Sequence, residues 1–140
     1  MDTTTTDAKS LVLRYYTEVL NGGDVNVLDE IAIDDYVEHH PFPGQANGRD
    51  DLKARARLLL AAFSPLSFSV EDVIADGDRV AVRWRSSGTH SGEFLGIPPT
   101  GRPYTIEGID IHRLEHGRLA EHWHVVDQFG QMQQLGLLPS

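Results

Sequence analysis

Acidic and imidazole side chains recur at two-residue spacing near the end of the sequence. Asp110 and His112 stand two positions apart, and so do His122 and His124. Side chains of a β-strand alternate between its two faces, so the members of each pair share one face. A tight turn at Glu115-His116-Gly117 makes the two strands antiparallel, which brings Asp110 opposite or diagonal to His122 or His124, at about 4.5–8 Å. A carboxylate and an imidazole at that distance can remove a proton from carbon and return one to oxygen.

The same residues admit two other interpretations. A His or Asp on a central strand can serve the core alone, by satisfying backbone groups or an arginine. The His122-x-His124 spacing can also supply imidazole ligands to a metal, with further ligands from Asp110, His39, His40 or Asp127. The chain has no cysteine and its predicted helices carry no His-x-x-x-His or Glu-x-x-His pair. We therefore predict no metal site.

Three further side chains are candidates for the wall of a substrate pocket. His39 opens the segment His39-His40-Pro41-Phe42-Pro43-Gly44, which is either an exposed turn or a loop that covers a pocket; we favour the covering loop. Trp84 alternates with arginines along its strand, so it faces either a pocket or the core. His122 shares a strand face with His124. We predict that His39, Trp84 and His122 bind substrate.

The elements that position these residues follow from hydrophobic periodicity. Spacings of three and four predict a helix from Asp7 to Asn21, a short helix after Asp24 and a third helix from about Asn47 to Phe63. After Pro65 the period changes to two. Four strands are predicted: two joined at Asp76-Gly77-Asp78, one over about 104–114 and one over about 118–127. Helices followed by antiparallel strands indicate an α+β domain with helices on one face of a sheet.

Length and composition limit the function. A chain of 140 residues fits a single domain, residues 1–140, of which we expect 1–6 to be disordered. The net charge of −9 disfavours nucleic acid and anionic membranes as partners. Neither a secretory signal nor a long apolar run is present, which predicts a cytoplasmic protein. The absence of a Gly-rich phosphate loop argues against a nucleotide cofactor.

Several longer segments resemble the SnoaL-like polyketide cyclase family. These are Tyr36-Val37-Glu38-His39-His40, the run from Gly88 to Arg102, Gly108-Ile109-Asp110-Ile111, Glu121-His122-Trp123 and Gln134-Leu135-Gly136, in an order that matches over nearly the whole chain. The resemblance implies the nuclear transport factor 2-like fold, a cone in which N-terminal helices pack on a curved, mostly antiparallel sheet around an apolar cavity. It also implies a homodimer through the outer sheet face and a role in antibiotic biosynthesis.

The resemblance further implies a reaction. Characterised cyclases of this family close the last ring of anthracycline-type precursors by an intramolecular aldol condensation, without metal or cofactor. Their pocket His falls on Asp110 and their acid/base Asp on His124, so the two residue types are exchanged in this chain. We therefore predict a cofactor-independent cyclase of a polyketide-type ester with Asp110 and His124 as catalytic residues. A cofactor-independent hydroxylase of an anthracycline-like substrate, an isomerase and a non-catalytic binding module remain as alternatives.

Overall fold

The computed structural model describes residues 3–139 and begins with the helices that the apolar spacing predicts. Helix α1 (Thr3–Arg14) continues as a π-helical segment (Tyr15–Asn21), and a 3₁₀ turn (Val25–Val27) leads into the short α2 (Leu28–Ile31). Helix α3 (Arg49–Ala62) follows later, and α4 (Gln128–Gln134) closes the domain. Helix α1 begins within the segment 1–6 for which we expected disorder, while Met1 and Asp2 lie outside the described residues.

The π-helical segment places two tyrosines in the core. Tyr15 and Tyr16 are consecutive, and both are buried at its start. Single π-helical turns inside helices are frequent at functional sites. Here the segment directs the Tyr16 hydroxyl to the centre of the sheet, where it meets Asp110.

A five-stranded sheet forms the second layer. Its strands are β1 (Ala32–Glu38), β2 (Ser67–Asp76), β3 (Arg79–Thr89), β4 (Pro103–Glu115) and β5 (Arg118–Val126), in the order β1-β5-β4-β3-β2. The four predicted strands β2 to β5 are confirmed, and successive members pair antiparallel. Helices lie on one face of this sheet, which confirms the α+β prediction.

Strand β1 was not predicted, because the sequence favoured a helical segment with a break at Asp34-Asp35. The structure instead pairs this strand parallel to β5 at the sheet edge, with a register shift between Ala32 and Val37. Ala32 and Tyr36 are buried on either side of the exposed Asp34-Asp35 doublet. The doublet and the irregular register remove the strict alternation by which a strand is recognised in sequence.

The two faces of the sheet differ in chemistry. Along β4, buried and exposed residues alternate, and Asp110 and His112 lie on the buried face as predicted. We call this the inner face, because the helices and the core pack against it. The opposite, outer face exposes Ile109 and Val125. No helix among residues 3–139 is long and apolar enough to span a membrane.

Candidate active site

The inner face brings the four candidate acid/base residues onto two neighbouring strands. Strands β4 and β5 place Asp110 opposite His124 and His112 opposite His122. The rings of His112 and His122 stack at 4.9 Å between centroids, and those of His122 and His124 at 5.0 Å. The predicted meeting of acid and imidazole across this hairpin is therefore present, and side-chain contacts decide which pairs form.

Asp110 is a buried acceptor, only 5 % exposed, that bonds three side chains. The Tyr16 hydroxyl donates to Oδ2, and Trp84 Nε1–H donates to the same oxygen at 2.9 Å. His122 Nε2 lies 3.0 Å from Oδ1. Asp110 thus binds its diagonal neighbour His122, and no bond to the directly opposed His124 is present.

His122 lies between two carboxylates. Its Nδ1 is 2.7 Å from Glu38 Oε1, while its Nε2 bonds Asp110. Glu38 in turn accepts from Arg55 Nη1 at 3.2 Å. Asp110, His122, Glu38 and Arg55 therefore form a buried chain of alternating negative and positive groups, which we call the charge chain. Alternation satisfies each charge, as burial requires.

The charge chain fixes its own protonation state. Burial alone lowers the pKa of His122, but the carboxylates of Asp110 and Glu38 raise it to about 9. Burial raises the pKa of Asp110, yet the His122 charge outweighs burial and holds the pKa well below its usual range. Burial likewise raises the pKa of Glu38, and its bond to His122 lowers it overall. At neutral pH His122 is therefore an imidazolium between two carboxylates.

His112 is the neutral member of the cluster. Burial and the His122 charge lower its pKa to about 3. Its Nε2 lies 2.8 Å from the Tyr16 hydroxyl oxygen. Since that hydroxyl donates to Asp110, the consistent assignment is that His112 Nε2–H donates to Tyr16. His112 Nδ1 is then a buried acceptor with no partner among the described residues.

His124 has different surroundings from the other two histidines. Its Nε2 lies 3.0 Å from the His40 carbonyl oxygen and 3.3 Å from Arg55 Nη2. Burial and the positive charge of Arg55 lower the pKa of His124, which is consequently neutral at pH 7. A half-buried, neutral imidazole is suited to accept a proton.

His124 and Arg55 are basic side chains on the wall of a largely apolar cavity. The cavity lies between the inner face, helices α3 and α4 and the loops that follow β1 and β3. Six aromatic residues line it: Phe42, Phe63, Phe68, Trp84, Phe94 and Tyr104. A lining of this kind is suited to an aromatic, largely apolar ligand, and His124 lies on the same wall.

The structure places the residues that were predicted to line a pocket in different surroundings. Trp84 lines the cavity and also bonds the buried Asp110, so both of its expected environments are present. Phe42 lines the cavity too, so the segment from His39 to Gly44 contributes to its wall. Asp110 itself lies behind Trp84 and is not among the lining residues.

Two residues assigned to substrate binding, His39 and His122, do not line this cavity. His39 stacks on Trp123 at 4.5 Å between ring centroids, and its Nε2 lies 2.6 Å from Glu121 Oε2. It directly follows Glu38, whose side chain points to the core, so alternation directs His39 to the other side. His122 is 4 % exposed and both its ring nitrogens bond carboxylates, which places it behind the cavity wall.

The metal alternative concerns a different set of residues from the one that the sequence indicated. Donor atoms of Asp110, His112 and His122 lie within 4.8 Å of one another. Both nitrogens of His122 and both oxygens of Asp110 already have partners within the protein. A cation here would have to displace the proton that His122 holds between two carboxylates. The geometry therefore fits an ion-pair network better than a metal centre.

Sequence reasoning missed three side chains of this site: Tyr16, Glu38 and Arg55. Arg55 had a readable signal, because it falls in the buried helical stripe of α3 with Leu52 and Ala56. A charged residue inside an apolar stripe requires a partner or a function. Tyr16 and Glu38 gave no comparable signal, since their contacts depend on how the helices and β1 pack on the sheet.

Comparisons with known proteins identify the family. The model of the SnoaL-like polyketide cyclase family matches residues 10–135, and the chain belongs to this family. The aklanonic acid methyl ester cyclase DauD of Streptomyces sp. (strain C5) is 28 % identical over 131 residues, which cover 89 % of this chain and 80 % of DauD. The sheet and helices described above thus form the α+β, nuclear transport factor 2-like cone that the resemblance implies.

Solved structures agree with this assignment. TsrD from Streptomyces laurentii superposes with a TM-score of 0.88 at 30 % identity, covering 99 % of both chains. AclR from Streptomyces galilaeus, for which a hydroxylase activity has been suggested, superposes with a TM-score of 0.82 at 28 % identity, covering 96 % of this chain and 99 % of AclR. This chain is therefore similar both to a named cyclase and to a protein for which a hydroxylase activity has been suggested.

Proposed function

We propose that this protein is a cofactor-independent acid/base enzyme that cyclises a polyketide-type ester by an intramolecular aldol reaction, with His124 as the base. The observation that carries the proposal is a neutral imidazole on the wall of an aromatic-lined cavity. Membership of a polyketide cyclase family and the similarity to DauD support the substrate class.

The proposed reaction needs one group that both accepts and returns a proton. Neutral His124 removes a proton from the acidic carbon between two carbonyl groups, and the resulting carbanion attacks a second carbonyl carbon of the same molecule. A carbon–carbon bond forms while the attacked carbonyl becomes an alkoxide. The imidazolium of His124 then gives its proton to that alkoxide, which restores the enzyme. Protons and electrons balance without an oxidant.

In this proposal Asp110 acts from behind the cavity wall. A buried carboxyl group beside such a site has two possible roles: when ionised it orients its neighbours, and when protonated it donates to the enolate. Its low pKa and its three donors support the ionised role. The groups that it orients are His122 and Trp84, and Trp84 belongs to the cavity wall. Asp110 is therefore a positioning residue.

A hydroxylase is the second candidate, because AclR is among the similar structures. Such a reaction would use the same deprotonation and then add molecular oxygen to the substrate anion, after which a two-electron reductant such as a thiol would reduce the resulting hydroperoxide to the alcohol and water. A binding module would keep the cavity without turnover. Oxygen dependence separates the two enzymes, and absence of product with retained binding identifies the third.

We further propose a homodimer through the outer face of the sheet. Val125 is 74 % exposed and Ile109 is 50 % exposed, and the two are paired across β4 and β5. Ile111 and Ile74 extend this apolar surface. Contiguous exposed apolar surface of this kind is typical of an interaction site.

The functional proposal is tested with aklanonic acid methyl ester, the compound in the name of DauD, and with related polyketide esters, under argon and in air. We expect a product of unchanged mass that forms at the same rate in both atmospheres. A product that has gained oxygen and forms only in air would establish the hydroxylase. Quenching of Trp84 fluorescence by the ester without any product would identify a binding module.

A further inference from the structure

Arg55 is a buried cation that the fold brings to the cavity wall. It lies on the core-facing stripe of helix α3 and is 8 % exposed. Nη1 lies within hydrogen-bond distance of three acceptors: Glu38 Oε1 at 3.2 Å, and the His40 carbonyl and Gln45 Oε1 at 3.3 Å each. These contacts hold the guanidinium in place through one of its nitrogens.

The other terminal nitrogen, Nη2, has spare donor capacity. Its contact within the described part of the chain is His124 Nε2 at 3.3 Å, but that same nitrogen lies closer, at 3.0 Å, to the His40 carbonyl. One imidazole nitrogen either donates to a carbonyl or accepts from a guanidinium, never both. When His124 donates to His40, Nη2 has no acceptor among residues 3–139, although it carries two hydrogens beside the cavity.

The surroundings of this nitrogen select a flat ligand. The Arg55 guanidinium lies 4.1 Å from the centroid of the Phe42 ring, which holds its plane. Phe42 and Phe94 meet edge to face at 5.9 Å in the same wall. A planar aromatic ligand packed against these rings would lie beside the guanidinium, whose edge is the part of arginine that binds planar oxyanions.

We propose that Nη2 of Arg55 forms an oxyanion subsite that binds the enolate oxygen of a planar aromatic ligand beside His124. This inference rests on the proposed function, because an enolate arises there when His124 removes the carbon proton. Its oxygen would gain charge next to a fixed donor inside an apolar cavity, where such donors stabilise developing charge most effectively. Arg55 would then bind the reacting group as well as structurally pairing Glu38.

The test uses anthraquinone-2-carboxylate, a stable planar oxyanion, and its uncharged methyl ester as the matched control ligand. Binding is followed by quenching of Trp84 fluorescence in a Trp123→Phe background, since the chain has two tryptophans. We expect the protein to bind the carboxylate at least about 10-fold more tightly than the ester, the scale of one charge-assisted hydrogen bond. Equal or weaker binding of the carboxylate, or no binding of either ligand, would overturn the proposal.

Variants of Arg55 then test whether this residue causes the preference for the carboxylate. Arg55→Gln and Arg55→Lys should each reduce the preference for carboxylate over ester to about twofold or less, while ester binding is retained. Arg57→Gln, an exposed arginine on the same helix, should behave as the wild type. If Arg55 had a purely structural role, its substitution would weaken the binding of both ligands equally, and that result would refute the subsite. Because the ligand comparison measures binding alone, failure of cyclisation and failure of this subsite are separate results.

Discussion

Asp110 and His124 occupy directly opposed positions on β4 and β5, yet the Asp110 carboxylate bonds His122 and leaves His124 to the cavity. The hairpin therefore separates two kinds of imidazole. His122 is buried and charged within the charge chain, whereas His124 is neutral and lines the cavity. The first stabilises the fold, and the second is available for chemistry.

Substituting Asp110 should lower the stability of the fold mainly through loss of its buried ion pair with His122. Asp110→Asn leaves the His122 imidazolium with one carboxylate fewer in a buried position, and breaking such a pair costs about 3–5 kcal/mol. The free energy of unfolding, measured with urea at pH 7, should therefore be lower by about 3–5 kcal/mol. The pKa of His122, measured by NMR, should fall as well. His116→Asn on the exposed β4–β5 turn is the control, and an Asp110→Asn protein as stable as this control would contradict the charge chain.

The pH dependence of stability should reflect two buried histidines with opposite shifts. His122 has a usual pKa of 6.5 that is raised to about 9 in the fold, so stability falls as pH rises from 6.5 to 9. His112 has its pKa lowered from 6.5 to about 3, so stability falls as pH decreases from 6.5 toward 3. Below about pH 4 the carboxyl groups of Asp110 and Glu38, whose pKa values the fold lowers, take up protons first in the unfolded chain, which lowers stability further on the acid side.

Together these shifts predict a maximum of the melting temperature near pH 6.5, which circular dichroism across pH 4–10 can measure. The wild-type protein should lose stability on both sides of the maximum. In His112→Phe the decline between pH 6.5 and 4 should be shallower, while the alkaline side is kept. A melting temperature that stays constant between pH 6.5 and 9 would contradict an ionised His122.

Gly108 should tolerate no side chain. It pairs with Trp84 across β3 and β4, and a Cβ at this position would overlap the indole ring. Gly108→Ala should displace Trp84 from Asp110, destabilise the fold by about 1–3 kcal/mol and change the tryptophan emission. Glu107→Ala, at the exposed neighbouring position, should stay within about 0.5 kcal/mol of the wild type. Equal urea midpoints for the two variants would show that the indole does not occupy this place.

The proposed dimer depends on the outer face. Val125→Asp puts a charge at the centre of its apolar surface, opposite Ile109. Light scattering at micromolar concentration should show a dimer for the wild-type protein and a monomer for Val125→Asp, with unchanged circular dichroism. A monomeric wild-type protein would rule out this assembly.

The strands and the faces of β4 and β5 could be predicted from sequence, because alternation alone assigns Asp110 and His124 to one side. The sequence could not predict which imidazole Asp110 contacts, because the direct and the diagonal neighbour are both within reach of the carboxylate. The contacts of His124 with His40 and Arg55 determine the partner of Asp110, since they hold the His124 side chain away from the carboxylate.

Long-range packing explains the rest of what the sequence did not show. The parallel pairing of β1 with β5 places Glu38 beside His122, across 84 positions of sequence. Tyr16 reaches Asp110 from a different layer of the fold, across 94 positions. No local pattern encodes such contacts. Arg55 was the exception, because a charged residue in the apolar stripe of α3 was visible in the sequence.

The central claim, that His124 is the base, is tested most directly by hydrogen exchange at carbon. In D₂O, NMR follows the loss of the proton from the carbon between the two carbonyl groups of the ester that the protein converts. The wild-type protein should exchange this proton at least about 100-fold faster than His124→Gln, the scale of a positioned base. His116→Asn should match the wild type. If His124→Gln exchanges the proton at the wild-type rate, His124 is not the base and the account is wrong.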